Sequence, residues 1–190
     1  MDTQHVVLVA CGTLVVLPVV LCGGTGLYGT TLDSHVDLSQ TYEASASAED
    51  LFDLMDDMSG LERWWTVAME QYAKDNDAEM PPVDIQRHQG SPDGVGLAFD
   101  FVLGGTVTET WVVRDLHSPK RAVYDVDFKI FQVVRTIELT PLETGTHISW
   151  RETADIANPW LRLITLMMGP DEAEANFLGA MKGMDNAAQQ

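Results

Sequence analysis

Hydrophobic and polar positions change period twice along this chain. Between residues 83 and 156 apolar side chains recur at every second position, the strand period, in six runs: 83–88, 95–103, 106–116, 122–128, 131–139 and 146–156. Turn signals separate them. Gly104-Gly105 reads as a tight hairpin, and 117–120 and 141–145 read as loops. After Asn158 the period becomes helical. Trp160, Leu163, Ile164 and Met167 fall at i, i+3, i+4 and i+7, and Phe177, Leu178, Met181 and Met184 continue an apolar stripe. Asn158 is a capping residue, and Pro159 suits the first helical position, where no N–H is needed. Gly169-Pro170 interrupts or kinks the helix. Asp171, Glu172 and Glu174 then occupy a renewed first turn, where carboxylates suit the positive end of the helix dipole.

Ahead of the six runs, Val36, Leu38, Gln40 and Tyr42 alternate in a first strand over 35–43. Ser47-Ala48-Glu49-Asp50 has the form of a capping box, and Leu51, Phe52, Leu54, Met55 and Met58 make an amphipathic helix behind it. Ser59-Gly60 is expected to break that helix. Leu61-Glu62-Arg63-Trp64-Trp65 opens a second helical piece reaching about Ala73, and 74–82 is a polar loop. The order is strand, two short helices, six strands, long helix. It predicts an α+β fold in which a curved antiparallel sheet of about seven strands grips the C-terminal helix, a helix-grip arrangement.

The first thirty residues behave differently. No charged residue occurs from Val6 to Leu32. A transmembrane helix needs about 20 apolar residues, and 6–28 supplies them with Pro18 tolerated inside. A cleaved signal peptide normally opens with basic residues, and Met1-Asp2-Thr3-Gln4-His5 has none. The expectation is a single-pass membrane anchor with its linker over 1–33 and a separate domain over 34–190. No Lys or Arg flanks the span closely enough to orient it. Gly24, Gly26 and Gly29 match a dinucleotide-binding spacing, but they end a span rather than link a strand to a helix, so no cofactor is expected from them.

Charge narrows the partners. The net charge is −18, with 29 Asp and Glu of which only Asp2 and Asp33 precede Ser34. All 11 basic residues lie beyond that point, so the body carries −16. Such a surface repels nucleic-acid phosphates and anionic headgroups alike. Acidic, lysine-poor surfaces also suit a high-salt environment. The two cysteines, Cys11 and Cys22, lie in the apolar run, so the body holds neither disulfide nor cysteine metal site. The five histidines lack ligand spacing, and no metal is expected.

Several stretches carry a resemblance. Ala46-Ser47-Ala48-Glu49-Asp50-Leu51-Phe52, the Trp64-Trp65 pair, Gly94-Val95-Gly96 and Ser118-Pro119-Lys120-Arg121-Ala122-Val123-Tyr124 do so in order. Gly145-Thr146-His147-Ile148-Ser149-Trp150 follows, then Asn158-Pro159 through Gly169-Pro170-Asp171 to Phe177-Leu178 and Met181-Lys182. Together they resemble the SRPBCC or START-like superfamily, in its polyketide cyclase/dehydrase-like branch with an N-terminal anchor. His147 replaces a usual Arg, and Met181 a usual Leu. The resemblance implies a deep apolar cavity between sheet and final helix. It leaves the chemistry open, because the superfamily includes lipid carriers, cyclases, hydratases and oxygenase subunits.

Strand parity gives candidate residues. The apolar sets are Leu97, Phe99, Phe101 and Leu103; Val107, Glu109, Trp111 and Val113; Ala122, Tyr124, Val126 and Phe128; Phe131, Val133, Arg135, Ile137 and Leu139; and Ile148, Trp150 and Glu152. On the 106–116 run the alternative face is Thr106, Thr108, Thr110 and Val112. If the more apolar set is the inner one, Glu109, Arg135 and Glu152 point inward. If Leu139 faces Ile148 across the 141–145 loop, Arg135 faces Glu152, and opposite charges across an antiparallel pair attract. The expected cavity lining is Trp64, Trp65, Phe99, Phe101, Glu109, Trp111, Tyr124, Arg135, Trp150, Glu152, Met168 and Phe177. The leading expectation is a membrane-tethered domain that binds a hydrophobic small molecule such as a lipid, isoprenoid or polyketide. The first alternative is a cyclase or dehydratase using the cavity carboxylates, and the second is a structural or stress-related module whose cavity its own side chains fill. No catalytic residue, cofactor or oligomeric state follows from the sequence.

Overall fold

The computed structural model describes residues 32–190 apart from 76, 78, 80 and 169, with no side-chain placement for 75 and 164–172. The expected span at 6–28 and the lining position Met168 lie outside what is described. Among the described residues no helix is long and apolar enough to cross a membrane.

The elements are β1 (His35–Ala44), α1 (Ala48–Asp53), α2 (Met58–Asp75), β2 (Val83–Arg87), β3 (Ala98–Leu103), β4 (Thr106–His117), β5 (Arg121–Asp127), β6 (Gln132–Pro141), β7 (Thr146–Asp155), α3 (Pro159–Met168) and α4 (Pro170–Ala188). Seven antiparallel strands form one curved sheet in the order β1-β7-β6-β5-β4-β3-β2. The first strand therefore pairs with the last and forms one edge. The C-terminal helix α4 packs on β1 and against α2, and the core lies between these helices and the sheet.

Local chemistry explains the boundaries. Ser47 caps α1, its Oγ accepting from Asp50 N at 3.1 Å. The second helix is not short: it has 18 residues and begins at Met58. Asp57 accounts for the early start, because its Oδ1 accepts from Gly60 N at 2.7 Å and from Ser59 Oγ at 2.9 Å. Ser59 and Gly60 thus belong to the first turn of α2 rather than breaking α1. Gly60 fits there because a Cβ would lie 2.4 Å from Asp53 O. At the C-terminus, Asn158 Oδ1 caps α3 by accepting from Trp160 N at 3.0 Å, and Pro170 opens α4.

Two bulges bend the sheet. The β3–β4 register slips between Phe101/Val102 and the β4–β5 register between Val113/Asp115. Phe101 pairs with Glu109 but Val102 pairs with Val107, so the extra residue Thr108 moves Val107 off the inward row. Glu109, Trp111 and Val113 stay on it, all buried.

Helix α4 is locked at two points. Trp64 Nε1 of α2 donates to Ala180 O at 2.8 Å. Asp185, only 5% exposed, accepts from Ser45 N at 3.1 Å and Ala46 N at 3.0 Å. Burial alone would raise its carboxyl pKa; the Ser45 and Ala46 N–H groups and the Gln189 and Ser45 side chains outweigh that and hold it below the usual aspartate range. A Cβ on Gly183 would sit 2.3 Å from Ala68 Cβ and 2.5 Å from its Cα, so α2 and α4 touch nearly backbone to backbone. Gly183→Ala should therefore destabilise the domain by about 1–3 kcal/mol in urea unfolding, despite the better helix propensity of alanine. Ala68→Gly in the same chain should recover only part, since the Ala68 Cα remains in the way. A stabilised Gly183→Ala would show that the helices can part at no cost.

Candidate functional site

The sheet places its chemistry through two mirrored pairs. Residues i and i+2 of a strand share a face. Glu109 and Trp111 share one on β4, and Trp150 and Glu152 share one on β7. Trp111 Nε1 donates to Glu109 Oε2 at 2.8 Å, and Trp150 Nε1 donates to Glu152 Oε1 at 3.2 Å. Arg135 on β6 stands between the two pairs. Its register partner is Glu152, with Ile137 opposite Trp150 and Leu139 opposite Ile148, the pairing that the 141–145 loop predicts.

The guanidinium meets both acids. Arg135 Nε donates to Glu152 Oε1 at 2.5 Å, and Nη1 lies 3.8 Å from Glu109 Oε2. The guanidinium carbon also lies 4.1 Å from the Trp111 ring centroid and 4.9 Å from that of Trp150, both within cation–π range. Glu109 is fully buried and Arg135 is 5% exposed. One cation with two carboxylates leaves the group formally one negative. In a low-dielectric interior the charge-assisted hydrogen bond to Glu152 and the longer ion pair to Glu109 hold such a group together, and removing one member exposes the others to the full desolvation cost.

Aromatic rings surround this trio. Trp64 stacks on Trp65 at 4.9 Å and meets Trp150 edge-on at 5.8 Å. Trp65 meets Phe101 at 5.1 Å and Trp111 at 5.8 Å. Phe99 and Tyr124 each contact Trp111, and Phe177 of α4 stacks on Trp150 at 5.6 Å. Every expected lining residue whose side chain is described thus belongs to one connected cluster. Tyr124 OH donates to Met55 O at 3.0 Å. Burial pushes its phenol well above the ordinary tyrosine range, with the Arg135 charge opposing, so it remains a neutral tie between β5 and the end of α1. Trp65 Nε1 is buried with no hydrogen-bond partner among the described residues.

Glu152 is engaged by a guanidinium and an indole N–H, a geometry suited to holding Arg135 in place. No group of three His, Cys, Asp or Glu able to hold a metal occurs among the described residues. A groove of about 470 Å³ lies on the other face of the sheet, lined by outward-facing Thr110, Val112, Asp125, Val134 and Thr153 among others. It is separated from the trio by the sheet itself. Sequence reasoning missed Asp185, although an aspartate one residue after Met184 in an apolar stripe is a visible signal.

A family model described as polyketide cyclase / dehydrase and lipid transport matches residues 35–188. No curated protein matches the chain in sequence. Among solved structures, the ginseng major latex-like protein 151 from Panax ginseng superposes with a TM-score of 0.60 at 9% identity, covering 83% of this chain and 99% of that one. A protein from Mesorhizobium loti gives a TM-score of 0.57 at 13% identity, covering 81% and 97%. The di-domain ARO/CYC of the steffimycin biosynthetic pathway gives 0.54 at 15% identity, covering 86% of this chain and 53% of that one. Likeness at these identities establishes the fold alone.

Proposed function

This chain belongs to the polyketide cyclase / dehydrase and lipid transport family, and on that premise we propose that it binds an apolar small molecule between the sheet and its C-terminal helices. Arg135, held by Glu109 and Glu152, is the polar contact for a single hydroxyl or carbonyl on that molecule. The aromatic cluster from Trp64 to Phe177 supplies the apolar wall. The observation that carries this reading is the charged trio embedded among indoles. A purely structural core gains nothing by keeping three charges there, because well-packed apolar residues are as stable or more so. Ligand pockets have the opposite requirement: a mostly apolar lining with a few fixed polar groups.

The proposal includes a tether. Residues 6–28 cross a bilayer once, and the molecule that the domain takes up comes from that bilayer. Native mass spectrometry of the detergent-extracted full chain tests the binding reading. The expected result is a co-purified mass that is lost when Arg135→Met, Glu109→Leu and Glu152→Leu are combined. A protein free of any such mass, with no uptake of fluorescent lipid or isoprenoid probes, would overturn it. Turnover of a bound polyketide-like probe would instead favour the cyclase or dehydratase alternative.

A further inference from the structure

Helix α3 differs from the rest of the surface in composition, exposure and neighbour. Its sequence, PWLRLITLMM, is apolar apart from Arg162 and Thr165. Trp160 at its first turn is 43% exposed, whereas Trp64, Trp65, Trp111 and Trp150 are each 3% exposed or less. Its single charge is consumed internally. Arg162 Nε donates to Ile156 O at 2.6 Å, Nη2 to Ala157 O at 3.3 Å and Nη1 to Leu32 O at 3.3 Å. The last bond matters most, because Leu32 ends the uncharged run that starts at Val6. One guanidinium therefore fixes α3 against the residue at which that run enters the domain.

We propose that α3 is a membrane-docking helix, seated through the exposed Trp160 of its first turn in the interface of the same bilayer that residues 6–28 cross. This rests on the tether proposed above and adds a second, in-plane contact to it. The occupant follows from position: residue 32 leaves the bilayer surface, and α3 is within a hydrogen bond of it. It also follows from chemistry. A tryptophan at the start of an apolar helix suits the boundary between headgroups and acyl chains. With no free basic residue on α3 and a strongly acidic body, attachment is apolar and independent of anionic lipid. Docking sets the bilayer at the N-terminal end of α4. Phe177, which stacks on Trp150, lies seven residues further along that helix, about two turns. A ligand leaving the bilayer beside α3 thus has a short path to the aromatic cluster.

The test uses the full chain reconstituted in phosphatidylcholine vesicles, with bromine atoms placed on the acyl chains of the lipid. Bromine quenches nearby tryptophan, and only Trp160 is exposed among the five. The expected result is a quenched fraction of the emission in the unaltered chain that disappears in Trp160→Phe and is unchanged by 1 M salt. Flotation of the same samples reports the tether separately. Protein that floats with the vesicles but shows no quenching, or equal quenching in Trp160→Phe, overturns the docking of α3 and leaves the tether standing. Protein that does not float overturns the tether, and the docking with it.

Discussion

Arg135→Met should destabilise the domain by about 3–5 kcal/mol, the range for breaking a buried ion pair by removing one partner. Two carboxylates lose their cation at once, Glu152 at 2.5 Å and Glu109 at 3.8 Å, and both lie in a place that water barely reaches. Adding Glu152→Leu should recover part of the loss. It should not recover all, because Glu109 stays buried with the Trp111 N–H still pointing at it. The triple change with Glu109→Leu should come close to the original stability, since an apolar trio of similar volume carries no desolvation cost. Chemical denaturation of the four proteins at one fixed salt concentration measures the series. Single changes within about 0.5 kcal/mol of the parent would mean that water or counter-ions reach the trio.

The second large effect is expected at Trp64. Its ring stacks on Trp65 and meets Trp150, and its N–H closes on Ala180 O. Trp64→Ala removes both the packing and the tie between α2 and α4, and should cost about 3–5 kcal/mol. Trp64→Phe separates the two contributions. It keeps most of the ring contact and loses the hydrogen bond, so about 1–3 kcal/mol should remain as the cost of a buried carbonyl left without its donor. A Trp64→Ala protein with unchanged unfolding midpoint would show that the cluster re-forms around the gap.

Much of the site follows from parity and loop length. Glu109 and Trp111, and Trp150 and Glu152, are two residues apart, and a strand puts such pairs on one face whatever surrounds it. A hairpin of known loop length then sets Arg135 against Glu152. The element order was legible for the same reason, since periods of two and 3.6 are properties of local sequence. Three features were not. The extra residue Thr108 looks like any other position in an alternating run, so the loss of Val107 from the inward row is visible only in pairing. Asp57 reads as one more acid in an acidic stretch until Ser59 and Gly60 are seen to bond to it. The approach of Gly183 to Ala68 joins residues over a hundred positions apart, and nothing local to either announces it.

The pairing of the edge strand β1 with β7 sets a schedule for synthesis. β1 ends at Ala44, and its partner strand begins at Thr146, so about a hundred residues must be made before the ladder of β1 can close. At roughly 5–20 residues per second that interval is on the order of 5–20 s. During it, the row of backbone donors and acceptors on β1 has no native neighbour, and Ser45 and Ala46 wait longer still for Asp185. Contacts this far apart in sequence also slow the final search. A chaperone that shields one extended segment near the start of the nascent chain would therefore raise the yield of this protein more than one acting on the finished domain.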